Sequence, residues 1–445
     1  MKINDIFRRF WALFTVAAIA LSAAGFTLGY FTRIWTQPSA VSSYEWVWGE
    51  IQKNYYDDVS EGDFLNSTLK GLTGGVLDSY SEYYTAEEYK KITSENAGNG
   101  SGLGVSYKFY SDSPIGTGVL VVSVMGNSPA YRCGIKKGMI ITGGISGGTQ
   151  VNFSSSSEFA DFIQAQTAGK EYTLITDKGR FETYNCDYVT SYCSLSTGTK
   201  SWECVYDGGR LKVSETAEGI DCLPEGAAYL SLSKFYGDAA YQAAELIKKF
   251  NAENCTSLIL DLRNNGGGSV DVMQYIAQLF IGDVAGASST AMTAVYKSGK
   301  KAVYPVKKWT SGDTLIPAGT RVYVMANSGT ASASEALMGV LISGGVTSYG
   351  QVYLSDFSQE YLDANTSAKN KRTYGKGIMQ TTFVNKFTGE AVKLTTAKIY
   401  WPDGTCIHDR GITEADGCKT VSAYWNATYG DDELQKVIAD IYGSQ

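Results

Sequence analysis

The chain has 445 residues, of which 44% are hydrophobic and 19% charged. That balance excludes a disordered protein, and the length exceeds one ordinary core. The net charge of −7 gives no general reason to expect a nucleic-acid partner. Eight cysteines form no Cys-x-x-Cys pair and the chain has a single histidine, so neither a metal site nor a cofactor is expected.

Lys2, Arg8 and Arg9 precede an uncharged run from Phe10 to Thr32, which ends at Arg33. A bilayer span needs about 20 apolar residues, whereas the apolar region of a cleaved signal peptide is shorter, about 7–15. The run predicts a single-pass signal anchor over 10–32, although "LSAAG" offers small residues where a peptidase could cut. The basic flank places residues 1–9 in the cytoplasm and the body outside the membrane. Disulfides are then permitted. Cys186, Cys193, Cys204 and Cys222 share one segment and Cys406 and Cys418 another, which makes local bridges reasonable without fixing their connectivity.

Apolar residues at helical spacing, such as Trp46 and Ile51, then Leu65, Leu69 and Leu72, predict a helical region over 42–95. The glycine-rich "NAGNGSGLG" breaks it. Short strand patterns follow ("GVSYKF", "GVLVVSVM", "MIITGGI", "YTLIT"), with one helical stretch, "SSEFADFIQAQTAG". They predict a compact β-rich module over 97–185. A cysteine-bearing connector, 186–224, leads to a core over 225–425, and a C-terminal helix occupies 426–445. In the core, "AYLSLSKF", "SLILDLR" and "RVYVMAN" alternate with "DAAYQAAELIKKFNAEN", "VDVMQYIAQLF" and "SASEALMGVLIS". This alternation predicts an α/β fold with largely parallel strands. Functional groups then gather beyond the carboxyl ends of the strands, where "NNGGGS" and "SGTASASE" fall.

"NNGGGSV" can be a plain strand-to-helix turn or a row of backbone amides aimed at an oxyanion. The phosphate-loop pattern is absent, since no Gly-Lys is followed by Ser or Thr. "SASE" reads as a capping box, with Ser332 as the cap and Glu335 reaching back. A catalytic serine among these residues needs a base. The lone histidine, His408, sits in a turn, "DGTCIHDRGI", with nothing to mark it as one. The other solution is a neutral lysine. A lysine in water titrates near about 10.4, so it must be desolvated or placed near other cations to serve. "TYGKGIMQT" offers Lys376 between two glycines, which allows that reading without compelling it.

Together, "TASASEALMGVLISGG", "LILDLRNNGGGSV", "TYGKGIMQT" and "VKLTTAKIYWPDGTCIHDRGI" resemble the C-terminal processing peptidases, serine proteases with a Ser-Lys dyad and a PDZ domain. "VLDSYSEYYTAEEY" is similar to that family's helical segment, and "GLGVSYKF", "SPAYRCGIKKGMII" and "FADFIQ" are similar to its PDZ domain. The resemblance implies a protease core of ClpP/crotonase-like β-α units carrying an inserted β-rich PDZ domain. It implies Ser332 as nucleophile, Lys376 as general base and Gln380 as the residue that orients the lysine. The implied oxyanion hole is the amide of Ala333 with that of Gly267, or alternatively Gly268. Gly102, Leu103, Gly104 and Val105 match the loop that receives a chain terminus. Implied partners are protein or peptide substrates, through their C-terminal segments, and the membrane; a homodimer is admitted. The implied location is the bacterial cell membrane, with the catalytic body outside the cytoplasm.

Three departures stand against this pattern. Ser332 and Lys376 are 44 positions apart, longer than the family's usual interval, with the excess in "YLSDFSQEYLDANTSAKNK". The family's Gly-Asp in the PDZ turn is Gly138-Met139 here, and cysteines are more numerous than such an enzyme suggests. A non-catalytic relative that binds exported chain termini is the alternative, supported by the long interval alone.

Overall fold

The computed structural model describes residues 39–54, 59–113, 116–136, 138–207, 209–216, 218–282, 284–357, 370–423 and 432–443. The expected anchor over 10–32, with residues 1–9, lies outside them. Among the described residues no helix is long and apolar enough to cross a membrane. The chain divides into two units, Met1–Tyr83 and Tyr84–Gln445.

In the first unit, α1 (Ser39–Asn54) and α2 (Glu61–Val76) pack through Phe64, whose ring lies 5.1 Å from both Tyr44 and Trp48. Ser60 caps α2 by accepting the Asp63 amide at 3.0 Å, as a serine before an acidic first turn should. The helical pattern read from Glu61 onward stops at Val76. A new helix, α3 (Ala86–Asn96), opens the second unit behind a Thr85–Glu88 capping box. Periodicity carried across that break because it does not register a cap inside it.

The β-rich module has six antiparallel strands: β1 (Val105–Ser113), β2 (Gly116–Val124), β3 (Ile140–Ser146), β4 (Thr149–Asn152), β5 (Glu171–Thr176) and β6 (Gly179–Tyr184). Their order is β1-β2-β3-β5-β6, with β4 paired to β3. Helices α4 (Pro129–Arg132) and α5 (Ser156–Gln164) complete it. Its own core gathers Leu103, Val119, Val121, Ile141, Phe159 and Leu174.

The stretch expected to be a connector supplies three strands of the larger sheet instead: β7 (Cys193–Ser196), β8 (Ser201–Asp207) and β9 (Arg210–Thr216). The residues of β8 alternate in burial, with Trp202 1% exposed, which is the period of a one-sided strand. Next come β10 (Ala227–Leu232), α6 (Ala239–Ala252), β11 (Ser257–Asp261) and α7 (Val270–Ile281). After β12 (Thr290–Tyr296) and β13 (Lys301–Pro305) the chain forms β14 (Arg321–Ala326), α8 (Ala333–Ser343) and β15 (Val352–Phe357). It closes with β16 (Ile378–Val384), β17 (Ala391–Tyr400), β18 (Lys419–Ala423) and α9 (Asp432–Tyr442).

The eight-stranded sheet runs β9-β8-β7-β10-β11-β14-β15-β18. From β10 to β18 all pairings are parallel, while β7, β8 and β9 are antiparallel at the other edge. Parallel strands are buried on both faces and read as continuous apolar runs, and all five residues of β11, "SLILD", are buried. The expected α/β core is therefore present. Strand β15 was not expected: the segment read as the start of a polar insertion begins with Tyr353 and Leu354, 2% and 0% exposed. Residues 358–369 of that segment lie outside the described ones. Strands β12, β13, β16 and β17 belong to a second, antiparallel sheet. All eight cysteines are free thiols, so the local bridges that export would permit are not made.

Helix α8 is buried from Ala333 to Leu341, and beyond Ser334 and Glu335 in its first turn this stretch is apolar or glycine, the pattern of a helix enclosed by the core. It meets Trp401, just beyond β17, through Gly339, where a methyl group would lie 2.3 Å from the ring. Gly339→Ala should therefore lower stability by about 1–3 kcal/mol through overpacking, read as a reduced urea midpoint with an unchanged m-value.

Candidate active site

Strands β11 and β14 are parallel neighbours with Asp261 opposite Met325, so the loops that follow them leave the sheet side by side. Their polar residues are spent on joining the two. The Asn264 amide donates to Asn327 Oδ1 at 2.9 Å, and Asn327 Nδ2 donates back to Asn264 Oδ1 at 3.1 Å. Thr330 Oγ1 donates to the Leu262 carbonyl at 2.8 Å. The Ser334 hydroxyl, fully buried, donates to the Asn265 carbonyl at 2.8 Å. Asn265 Nδ2 in turn reaches the Leu232 carbonyl at the end of β10, 2.8 Å away. Thr330 and Ser334 are thus structural, which leaves Ser328 and Ser332 among the hydroxyls of "SGTASASE", and of these two only Ser332 lines the cavity that Lys376 also lines.

Ser332 precedes α8 with φ 59° and ψ −116°. A non-glycine residue held there is strained, at a cost of about 1–3 kcal/mol, and such strain clusters at functional sites. The conformation sets Ser332 on the wall of a cavity of about 240 Å³ that Ala333, Gly266, Gly268, Lys376 and Gln380 also line. The structure therefore brings the serine, the lysine and the glutamine expected from sequence to one cavity, despite the 44-residue interval. Gln380 Nε2 donates to the Thr395 hydroxyl across the β16–β17 pair at 2.9 Å. His408 is absent from that wall; its Nε2 lies 3.6 Å from Asp409.

What spans the interval is Glu335. Its side chain is fully buried and accepts four hydrogen bonds. Oε2 takes the amides of Ser332 at 3.0 Å and Lys376 at 2.9 Å. Oε1 takes the Thr373 hydroxyl at 2.6 Å and the Gly375 amide at 2.8 Å. The Ser332 and Lys376 nitrogens can be no further apart than two hydrogen bonds laid end to end. The reach of Glu335 back to Ser332 was expected from the capping box. Its three partners across the cleft were not, because no local spacing encodes contacts 38 to 41 residues away. Burial raises the Glu335 carboxyl above its ordinary value, and the Thr373 hydroxyl and the three amides pull it back.

The glycine loop packs close to the serine on another side. Gly267 has φ 94°, and a methyl group on it would lie 2.9 Å from Ser332 Cβ and 2.8 Å from the Ala333 nitrogen. Only glycine fits there. Its amide, however, donates to Asn265 Oδ1 at 3.0 Å, so Gly267 is not the available donor that the resemblance implies. Gly268 lines the cavity beside Ala333, and neither amide has an acceptor among the described residues. Among the described residues no cluster of His, Cys, Asp or Glu could hold a metal ion.

In the β-rich module, Gly102 and Gly104 have φ 81° and Leu103 is buried in that module's core. Val105 opens β1, the edge strand of its sheet. Tyr107 of β1 meets Phe159 of α5 edge-on at 4.7 Å. The four residues thus form one loop ahead of an edge strand and a helix. They lie apart from the Ser332 cavity, whose wall includes none of them. The Tyr131 hydroxyl of α4 donates to the Glu203 carboxylate of β8, a direct contact between module and core.

Residues 226–351 match Peptidase family S41. The chain is 27% identical over 379 residues to a "Probable CtpA-like serine protease" of Staphylococcus epidermidis (strain ATCC 12228 / FDA PCI 1200), covering 84% of this chain and 65% of that protein. It is 25% identical over 380 residues to a protein of the same description from Staphylococcus aureus (strain N315), covering 85% and 64%. The chain thus spans just under two thirds of the length of these relatives. A solved structure from Bacteroides fragilis NCTC 9343, described as "Putative S41 protease", shares the fold with a TM-score of 0.53 at 14% identity, over 88% of this chain and 91% of that one. These likenesses agree with the resemblance carried by the motifs.

Glu335→Ala should orphan four donors and lower stability by about 2–4 kcal/mol. Because the folded chain holds the Glu335 proton more tightly than the unfolded one, its contribution is full below 4.5 and declines as pH rises through the raised value. The stability gap between the parent chain and Glu335→Ala should therefore widen as pH falls from neutral toward 4.5, measured by urea unfolding across that range.

Proposed function

We propose that this chain, which carries the Peptidase family S41 segment, is a membrane-anchored serine endopeptidase of the C-terminal processing type that cleaves exported proteins. The observation that carries the reading is the convergence of Ser332 and Lys376 on one cavity, braced through a single buried carboxylate. In this reading Lys376, as the free amine, removes the Ser332 proton, and Ser332 Oγ attacks the scissile carbonyl. The amides of Ala333 and Gly268 receive the developing oxyanion. They stand at the N-terminus of α8 and in the glycine loop, where backbone N–H groups favour negative charge. The lysine then passes its proton to the departing amine, and water releases the acyl group by the same route in reverse. Gln380, tied to Thr395, is the residue proposed to hold the lysine in place.

The β-rich module is proposed as a PDZ domain that receives substrate C-termini. Its Gly102–Val105 loop offers main-chain amides for a carboxylate, and edge strand β1 can accept an extended peptide. The Tyr131–Glu203 contact supplies a route by which an occupied module could bias the core.

On this reading Ser332→Ala and Lys376→Ala should each lower cleavage of an unfolded protein by about 10³-fold or more while leaving the chain folded. The parent rate should rise toward alkaline pH, as a base that must be neutral requires. Equal background cleavage by all three proteins would defeat the enzymatic reading. Deleting 97–185 should change both cleavage rate and substrate choice. If both stayed as they were, the module would have no part in recognition or gating.

A further inference from the structure

A second lysine lies against the glycine loop that borders the cleft. Lys234 follows β10, the strand beside β11, so its side chain emerges next to the glycine loop. A methyl group placed on Gly266 would lie 3.4 Å from the Lys234 ammonium nitrogen, and Gly266 lines the cavity. Lys234 is half-buried. It has no ion pair or hydrogen bond from its side chain among the described residues, and burial lowers its pKa. A third lysine, Lys393 on β17, lines the cavity directly and donates to the Tyr84 hydroxyl at 2.7 Å. Burial raises the Tyr236 hydroxyl, which is two residues beyond Lys234 and also on the wall, and the Lys393 charge draws it part of the way back.

The described residues of the wall include neither Asp nor Glu, and the Glu335 carboxylate behind it is engaged by Ser332, Thr373, Gly375 and Lys376. Lys234 and Lys393 bring positive charge to the cleft of a chain whose net charge is −7. The free amides of Gly268 and Ala333 add to the same polarity. A desolvated lysine without a counter-ion is costly, and an anion arriving beside it offsets that cost.

We propose that Lys234, assisted by Lys393, forms a carboxylate subsite of the cleft, so that the bound peptide is selected for a carboxylate beside the scissile region. The inference rests on the peptidase reading for its ligand class but not for its measurement. Two sources share this chemistry: the α-carboxylate at the end of the substrate, and an Asp or Glu side chain within it.

The full-length chain carrying Ser332→Ala is titrated with four fluorescein-labelled decapeptides of one apolar sequence. They end in a free acid or an amide, and carry Asp or Asn near that end. A carboxylate-bearing peptide should bind about tenfold more tightly than its neutral counterpart, the gain of one charge-assisted pair. Loss of affinity on amidation alone identifies the α-carboxylate, and loss on Asp-to-Asn exchange alone identifies the side chain. Lys234→Met in the same background should erase the preference, and Lys234→Arg should retain it. Should Lys234→Met fail to fold by circular dichroism, Lys234→Gln takes its place. Equal affinity for all four peptides, absence of binding included, overturns the proposal. So does a preference that survives loss of Lys234, which would assign it to the β-rich module. A Lys234-dependent preference in a protein whose parent form cleaves nothing would sink the peptidase reading alone.

Discussion

A buried carboxylate is costly to keep unless its oxygens are fully engaged. At Glu335 both oxygens are, and every donor comes from a residue whose position matters to the cleft. Two of those donors are the amides of Ser332 and Lys376 themselves. The carboxylate thus turns a relation between distant parts of the chain into local geometry. Whatever the residues between β15 and Lys376 do, the backbone of the serine turn and the backbone of the lysine turn are bound to one group. Thr373 extends the brace, since its hydroxyl also accepts the Ile412 amide at 2.8 Å, so the segment beyond β17 is tied in as well.

The parallel sheet provides the other half of the arrangement. Because β10, β11 and β14 run side by side in the same direction, Lys234, the glycine loop and the serine turn all leave it at one edge. The asparagine pair Asn264–Asn327 and the Ser334–Asn265 bond then fix the two central loops against each other. Side-chain amides and hydroxyls take the backbone groups that the strands no longer pair. This explains why a stretch so rich in small polar residues needs only one of them at the cavity.

Much of this was legible in the residues. The alternation of strands and helices, the capping box and the Gly-Lys-Gly turn each reflect short-range chemistry that spacing records. The features that escaped depend on contacts between distant segments. Tyr353 and Leu354 sit in a run with Asp356 and Ser358 around them, and only their place between β14 and β18 makes them core. Strand β8 was hidden by attention to its cysteine. Gly267 carried the expected conformational freedom, yet its amide was already taken by Asn265 two residues earlier. An Asx turn is visible in sequence only to someone who knows which donors remain. Lys234 had no motif around it at all, and its position follows from strand order alone.

The backbone of Ser332 has a wider consequence. Its φ of 59° is one that glycine would adopt freely and serine does not. The turn is therefore loaded like a bent spring, with the four-way clasp at Glu335 and the wedge of Gly267 as its two stops. The backbone of the serine turn thus takes its shape from contacts with residues distant in sequence, and a change at either stop acts on Ser332 without touching it.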